Sequence, residues 1–238
     1  MTRCSISRYF PLPVPETPTA PEDHRIRVGA QRRERTRLQL LTSAVRVFNE
    51  KGADATVIDD VIAVAGVSRG TFYNHFKTTT ELLMELASRM SDEVLAVVDP
   101  LVLQRDNHAE RFAIGMRLYM RMALRYPQWG RFMTQVGTRV AARGQLIDQY
   151  VTRDLSASRD HQLLNVPDVA VARDLALGAI FYGIETMLTE PTRSNHAEDL
   201  IRHVLIGLGL DATEAMRIVS MPLRIPDRVP GPIFDSLE

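Results

Sequence analysis

Cysteine is nearly absent. Cys4 stands alone in 238 residues, so no disulfide can form within the chain, and a reducing, cytoplasmic setting is expected. Net charge is absent too, with 29 basic residues against 29 acidic. The overall balance therefore says nothing about nucleic acid, and only the distribution can. Long hydrophobic runs are missing. The apolar run Leu175 to Ile184 is closed by Asp174 and Glu185, short of the roughly 20 residues that span a bilayer. Pro11, Pro13, Pro15, Pro18 and Pro21 break up the beginning of the chain, so no signal-peptide core and no membrane partner are expected. No segment shows the strand–helix alternation of a parallel sheet, which excludes the α/β classes.

What is present is helical periodicity over a 45% hydrophobic chain. Leu38, Leu41, Val45 and Phe48 recur at spacings of three and four, one face of a helix from about Gln31 to Lys51 that Gly52 ends. Val57, Ile58, Val61, Ile62 and Ala65 give a short second face. Asp59 and Asp60 sit together there, and this pairing suits a helix better than a strand. Thr78 with Glu81 spells a capping box, opening a helix that Pro100 is expected to end. Further helices are expected up to Tyr126, from Pro127, and over about 145–158, 168–189 and 197–208. The fold class is all-α, with about nine helices. The boundaries are a disordered Pro-rich arm (1–28), an N-terminal three-helix unit (29–78), a larger helical unit (79–221) and a Pro-rich tail (222–238). In that tail Ile225, Ile233 and Phe234 are candidates to dock.

Gly66-Val67-Ser68-Arg69-Gly70 fits G-x-S-x-G, the turn that carries a hydrolase nucleophile. That turn needs a strand before it, and the segment before it reads helical. The same residues make a helix-turn-helix. Gly66 can take positive φ and stop the second helix. Val67 tucks inward, Ser68 caps the third helix, and Phe72 and Phe76 anchor it. From Arg25 to Lys77 ten basic residues face five acidic ones. This region therefore carries +5 and the remainder −5, the footprint of a DNA binder on an acidic body. Serine hydrolase and helical protein-interaction adaptor remain as alternatives. No catalytic residue, metal site or cofactor is expected. His196 and His203 lie seven apart, and His108 and His161 read as isolated.

The stretch Ala55–Leu83, with Ala65-Gly66-Val67-Ser68, Gly70-Thr71-Phe72-Tyr73, His75-Phe76 and Glu81-Leu82-Leu83, resembles the TetR (tetracycline-repressor-like) family of bacterial transcription regulators. The likeness runs from about Arg32 to Leu86. It implies a homodimer that binds a pseudo-palindromic double-stranded operator, usually as a repressor, and is released by a small-molecule effector. It places Thr56 at a phosphate, and Arg69, Gly70, Thr71 and Tyr73 at bases or the adjacent backbone. Tyr73 and His75 sit where members grip phosphate, and Lys77 and Thr78 also reach the backbone. Ser68 and Asn74 complete the candidate DNA-facing set. Two positions depart from the family pattern. Asp59 stands where Arg or another polar donor is frequent and would repel phosphate, and Thr79 stands where Lys is frequent.

For a small hydrophobic effector the candidates are Phe112, Met116, Tyr119 and Met120 on one helix face, then Trp129, Phe132 and Met133, then Phe181 and Glu185. Methionine and aromatic side chains line adaptable pockets, and the same stripes fit a plain core equally well. Dimerisation is assigned to the helices at about 168–189, through Leu175, Ile180, Ile184 and Leu188, and 197–208, through Leu200, Val204, Leu205 and Leu208. Internal packing fits that amphipathic pattern equally well.

Overall fold

The computed structural model describes residues 21–52, 55–140 and 145–237. Its regular elements are ten α-helices and one 3-10 turn: α1 (Pro21–Lys51), α2 (Ile58–Ala65), α3 (Arg69–Tyr73), α4 (Thr79–Val102), α5 (His108–Arg125), α6 (Pro127–Val140), α7 (Leu146–Asp160), α8 (Val169–Thr189), α9 (His196–Gly207), α10 (Ala212–Val219) and the turn Phe234–Ser236. No helix among the described residues is long and apolar enough to cross a membrane.

The chain divides into two compact units after Thr36. The first, where described, is the opening of α1, and it is exposed almost throughout from Ile26 to Arg35. The expected loose arm is corrected over residues 21–28, which are helix. Helix begins at Pro21, ten residues before the expected start, because proline is well suited to a first helical position, where its missing N–H is no loss. Residues 1–20 of that arm, including Cys4, lie outside the described residues.

In the second unit α1 buries Leu41, Val45 and Phe48, α2 buries Val61 and Ala65, and Phe72 and Phe76 are closed off from solvent. Behind them α6 packs on α4 and α8, and α5 packs on α4, α7, α8 and α9. Asparagine and aspartate caps set the starts. Asn107 accepts from the amides of Ala109 and Glu110, and Asp168 from those of Ala170 and Val171.

Two expectations about elements change, and a third is met in part. α4 runs through Pro100 to Val102: proline removes one N–H and crowds the carbonyl four residues back, but Leu103 N still reaches the Asp99 carbonyl at 2.9 Å, so the last turn closes. A tenth helix, α10, follows a left-handed Gly209 (φ 85°) and is capped by Asp211. The tail after it is docked through Val229, Ile233 and Phe234, whereas Ile225 remains exposed. Glu93 of α4 accepts from the Ile233 and Phe234 amides at 3.2 and 3.1 Å, and Phe234 stacks edge-on against Tyr126 and Trp129.

Candidate nucleic-acid interface and effector cavity

α2 and α3 meet at a turn built by three residues. Gly66 is left-handed (φ 64°, ψ 34°) and caps α2, its own amide and that of Val67 returning to Ala63 and Ile62. Ser68 is extended, and its Oγ accepts from the Thr71 amide at 3.0 Å. The same oxygen lies 2.9 Å from the Thr71 hydroxyl. Ser68 is therefore a helix cap. The element before it is a helix, and no strand occurs among the described residues, so the strand that a nucleophile turn requires is not there.

With Phe72 inward, Arg69, Gly70, Tyr73 and Asn74 are exposed on α3 and its end, and Thr71 is half-buried. A Cβ at Gly70 would meet only Ser68 Oγ, at 3.8 Å, so the backbone is bare on that side. His75 is half-buried. Its carbonyl accepts from Arg37 Nη1 at 3.1 Å, while the Arg37 guanidinium sits 4.5 Å over the Phe76 ring and pairs with Glu85 of α4. Lys77 and Thr78 are exposed. Thr78 Oγ1 caps α4 by accepting from Glu81 N at 3.0 Å. The Glu81 carboxylate reaches one residue further back than a capping box requires, accepting from Lys77 N at 2.7 Å.

Thr56 differs from expectation. Its side chain is buried, and its hydroxyl donates to the Gly52 carbonyl at 2.7 Å. The residue flanking α2 is Val57, which offers no side-chain cap. A hydroxyl already satisfied inside the fold is not presented to a phosphate. Asp59, read as a repulsive departure, is ion-paired with Arg69.

A partly open cavity lies between α4, α5, α7 and α8, its empty space about 410 Å³ with the mouth included. Phe112, Met116 and Tyr119 line it, as anticipated, with Leu95, Val98, Ile147 and Ile180. The other six candidates do not line it. Met120 fills the close approach of α5 to Gly183 on α8. Trp129 is packed against Tyr119 and Phe234, and Phe132 edge-on against Phe48 at 4.6 Å. Met133 and Phe181 are core, and Glu185 is exposed. An apolar stripe marks the inward side of a helix but does not distinguish a packed core from a void.

The polar part of the cavity was missed. Asp99, Arg153, Asp154 and Tyr150 also line it. Arg153 Nε donates to Asp154 and Nη2 to Asp99, both at 2.8 Å, and its guanidinium lies 4.8 Å over the Tyr150 ring. The hydrogen bond to Asp154 leads in holding the Arg153 pKa above its ordinary value, with Asp99 adding to it against the effect of burial. Burial pushes the Tyr119 phenol up, and its oxygen sits 2.9 Å from Ser91 Oγ. In sequence these charges look like solvated helix faces, and no motif marks them. His108 and His161, read as isolated, have ring centroids 4.7 Å apart. No cluster of three or more His, Cys, Asp or Glu residues suited to a metal occurs among the described residues.

Two family descriptions match: "Bacterial regulatory proteins, tetR family" over residues 40–86, and "Tetracyclin repressor-like, C-terminal domain" over 107–221. The chain belongs to the TetR family. The transcriptional regulator AcrR of Shigella flexneri is 36% identical over 56 residues, 24% of this chain and 26% of AcrR. TtgR of Pseudomonas putida is 31% identical over 67 residues, 28% of this chain and 32% of TtgR. The matches thus span 40% or less of the length of the curated relatives. A crystal structure of RolR in complex with the ligand resorcinol is 28% identical with a TM-score of 0.70, covering 84% of this chain and 100% of that one. In this TetR-family chain the first description ends at residue 86, where the likeness read from sequence also ended, and the second carries the likeness on to residue 221.

Proposed function

We propose that the chain is a DNA-binding transcriptional repressor that holds a pseudo-palindromic operator as a homodimer and releases it when a small neutral phenol enters the cavity. The observation that carries the reading is the Ser68-capped α3, which turns its phenylalanines inward and leaves Arg69, Tyr73, Asn74 and Lys77 exposed on a basic segment. A two-fold dimer presents two such helices about 34–36 Å apart, one DNA turn. The homodimer is supported by exposed apolar residues on α8 and α9. These are Val171, Leu175 and Tyr182, with Ile206 on the second helix. The dimer residues are revised accordingly, since Ile180, Ile184 and Leu205 are buried within the subunit.

The effector class follows from the cavity's charge. Two carboxylates against one guanidinium leave the polar end net negative, so it accepts from hydroxyl donors and repels carboxylic acids. The aliphatic and aromatic remainder suits one ring. That RolR binds resorcinol supports the same class. A ligand shifts the equilibrium only if it binds the released conformation better than the DNA-competent one. The test is selection of bound duplexes from a random pool, then titration of the complex with resorcinol, phenol and benzoate. Enrichment of a palindrome and release by the phenols, not by benzoate, is the expected result. A chain that enriches no sequence overturns the regulator reading, and release by benzoate alone overturns the effector class.

A further inference from the structure

The recognition helix carries a cation whose partner belongs to the helix before it. Across the turn, Arg69 Nη2 of α3 donates to Asp59 Oδ1 of α2, and both side chains are exposed, at 56% and 67%. The neighbouring acid Asp60 is tied to Lys51 Nζ at 2.8 Å. Each carboxylate in the first turn of α2 therefore has its own cation. Solvent screens an ion pair this exposed, so stability does not account for the Asp59–Arg69 pair.

Position suggests a different role. Arg69 is the first residue of α3, immediately after the capping Ser68, so its backbone is fixed. Tyr73 follows one helical turn later on the same face and is 51% exposed. What is not fixed by the helix is the side chain, which has rotamer entropy to lose when it docks. A guanidinium is a planar fork of five N–H donors. With one nitrogen held by Asp59, the others remain for the two acceptors of a guanine edge, O6 and N7. The carboxylate has a second effect, because beside duplex DNA it weakens the sequence-independent attraction to phosphates.

We propose that Asp59 is a positioning residue for Arg69, orienting the guanidinium so that one base pair of each half-site is read as guanine while binding to unrelated DNA is held down. This rests on the operator-binding reading above. The two effects have opposite signs when the acid is removed. Discrimination falls and non-specific affinity rises, whereas a purely structural role would lower affinity for every duplex together.

The experiment uses the full chain. Random-pool selection with wild type gives the half-site, and fluorescence anisotropy then measures binding to three duplexes: that operator, the operator with single symmetric substitutions, and a scrambled sequence. The proteins are wild type, Arg69→Ala, Asp59→Asn, Asp59→Glu and the Arg69→Ala/Asp59→Asn double variant. Arg69→Ala should erase the preference at one symmetric position. Asp59→Asn should reduce the preference at that same position about tenfold, the order of one bidentate contact, while binding the scrambled duplex at least as tightly as wild type. Asp59→Glu should restore much of the preference, and Asp59→Asn should add nothing to base choice once Arg69 is alanine. Wild-type preference in Asp59→Asn at the Arg69-dependent position overturns the proposal, as does a parallel loss of affinity for operator and scrambled DNA. A wild type that enriches no duplex overturns the operator-binding reading, and this one with it.

Discussion

At the scale of single residues, Gly66 and Ser68 set the geometry of the interface and give the most local predictions. Ser68→Ala removes the acceptor of the Thr71 amide and should cost about 1 kcal/mol in urea unfolding, with weaker operator binding. Gly66→Ala has open space around its Cβ, so its cost is the left-handed backbone alone, about 1–2 kcal/mol. Both residues were legible in the sequence because their roles are local: a residue that tolerates positive φ, then a hydroxyl two positions on. Thr56 was not, because whether its hydroxyl turns out to a phosphate or back to Gly52 depends on how α1 ends. Glu85 gives a pH prediction. Burial pushes its carboxyl up, but the hydrogen bond and charge of Arg37, aided by Arg89, outweigh that and hold it below the ordinary value. Its stabilising contribution is therefore complete above the ordinary carboxylate pKa and is lost as pH falls through the lower folded value. Thermal melting of Glu85→Gln should show a lower Tm than wild type at neutral pH and a smaller fall between pH 5 and pH 3. Parallel melting curves across that range would exclude this role for Glu85.

At the scale of elements, the tail is the part of the second unit where composition and single residues pointed different ways. Its prolines gave the local impression of a loose end, while the residues that hold it are more than a hundred positions away. Val229 N donates to the Tyr126 hydroxyl at 3.1 Å, and Glu93 receives the Ile233 and Phe234 amides. A side chain at Gly231 would run into Glu93, so strap and helix fit closely there. Contacts of that separation leave no periodic trace. The long helices α4, α5 and α8 were legible because each repeats one face over many turns, and the short α10 was not, since eight residues give the pattern little length. Phe234 fills the space beside Tyr126 and Trp129, so Phe234→Ala should destabilise the fold by about 3–5 kcal/mol, read as a shifted denaturation midpoint. A loss within a few tenths of a kcal/mol would mean that the strap rests on the body without supporting it.

At the scale of the molecule from Arg37 onward, one question is how a subunit with a well-filled interior comes to leave apolar side chains in water. Val171, Leu175 and Tyr182 recur at spacings that keep them on one side of α8, and Tyr182 is 75% exposed. Gly178 and Ala179 between them line a shallow groove with Leu200, Val204 and Gly207 of α9, small residues that allow a second helix pair to come close. The opposite side of α8 is committed inward through Ile180 and Ile184. The sequence pattern could not separate the two sides, since leucines and isoleucines appear on both. The separation gives a paired prediction. Tyr182→Glu and Leu175→Glu place charge on the outward side only, so each should sediment as a monomer with melting close to wild type. Operator affinity should fall steeply, because one half-site is then held without the other. Ile180→Glu buries an unpaired carboxylate instead and should unfold the subunit. If both outward variants remain dimeric in sedimentation at micromolar concentration, the pairing surface lies elsewhere, and the exposed stripe on α8 and α9 needs a different occupant.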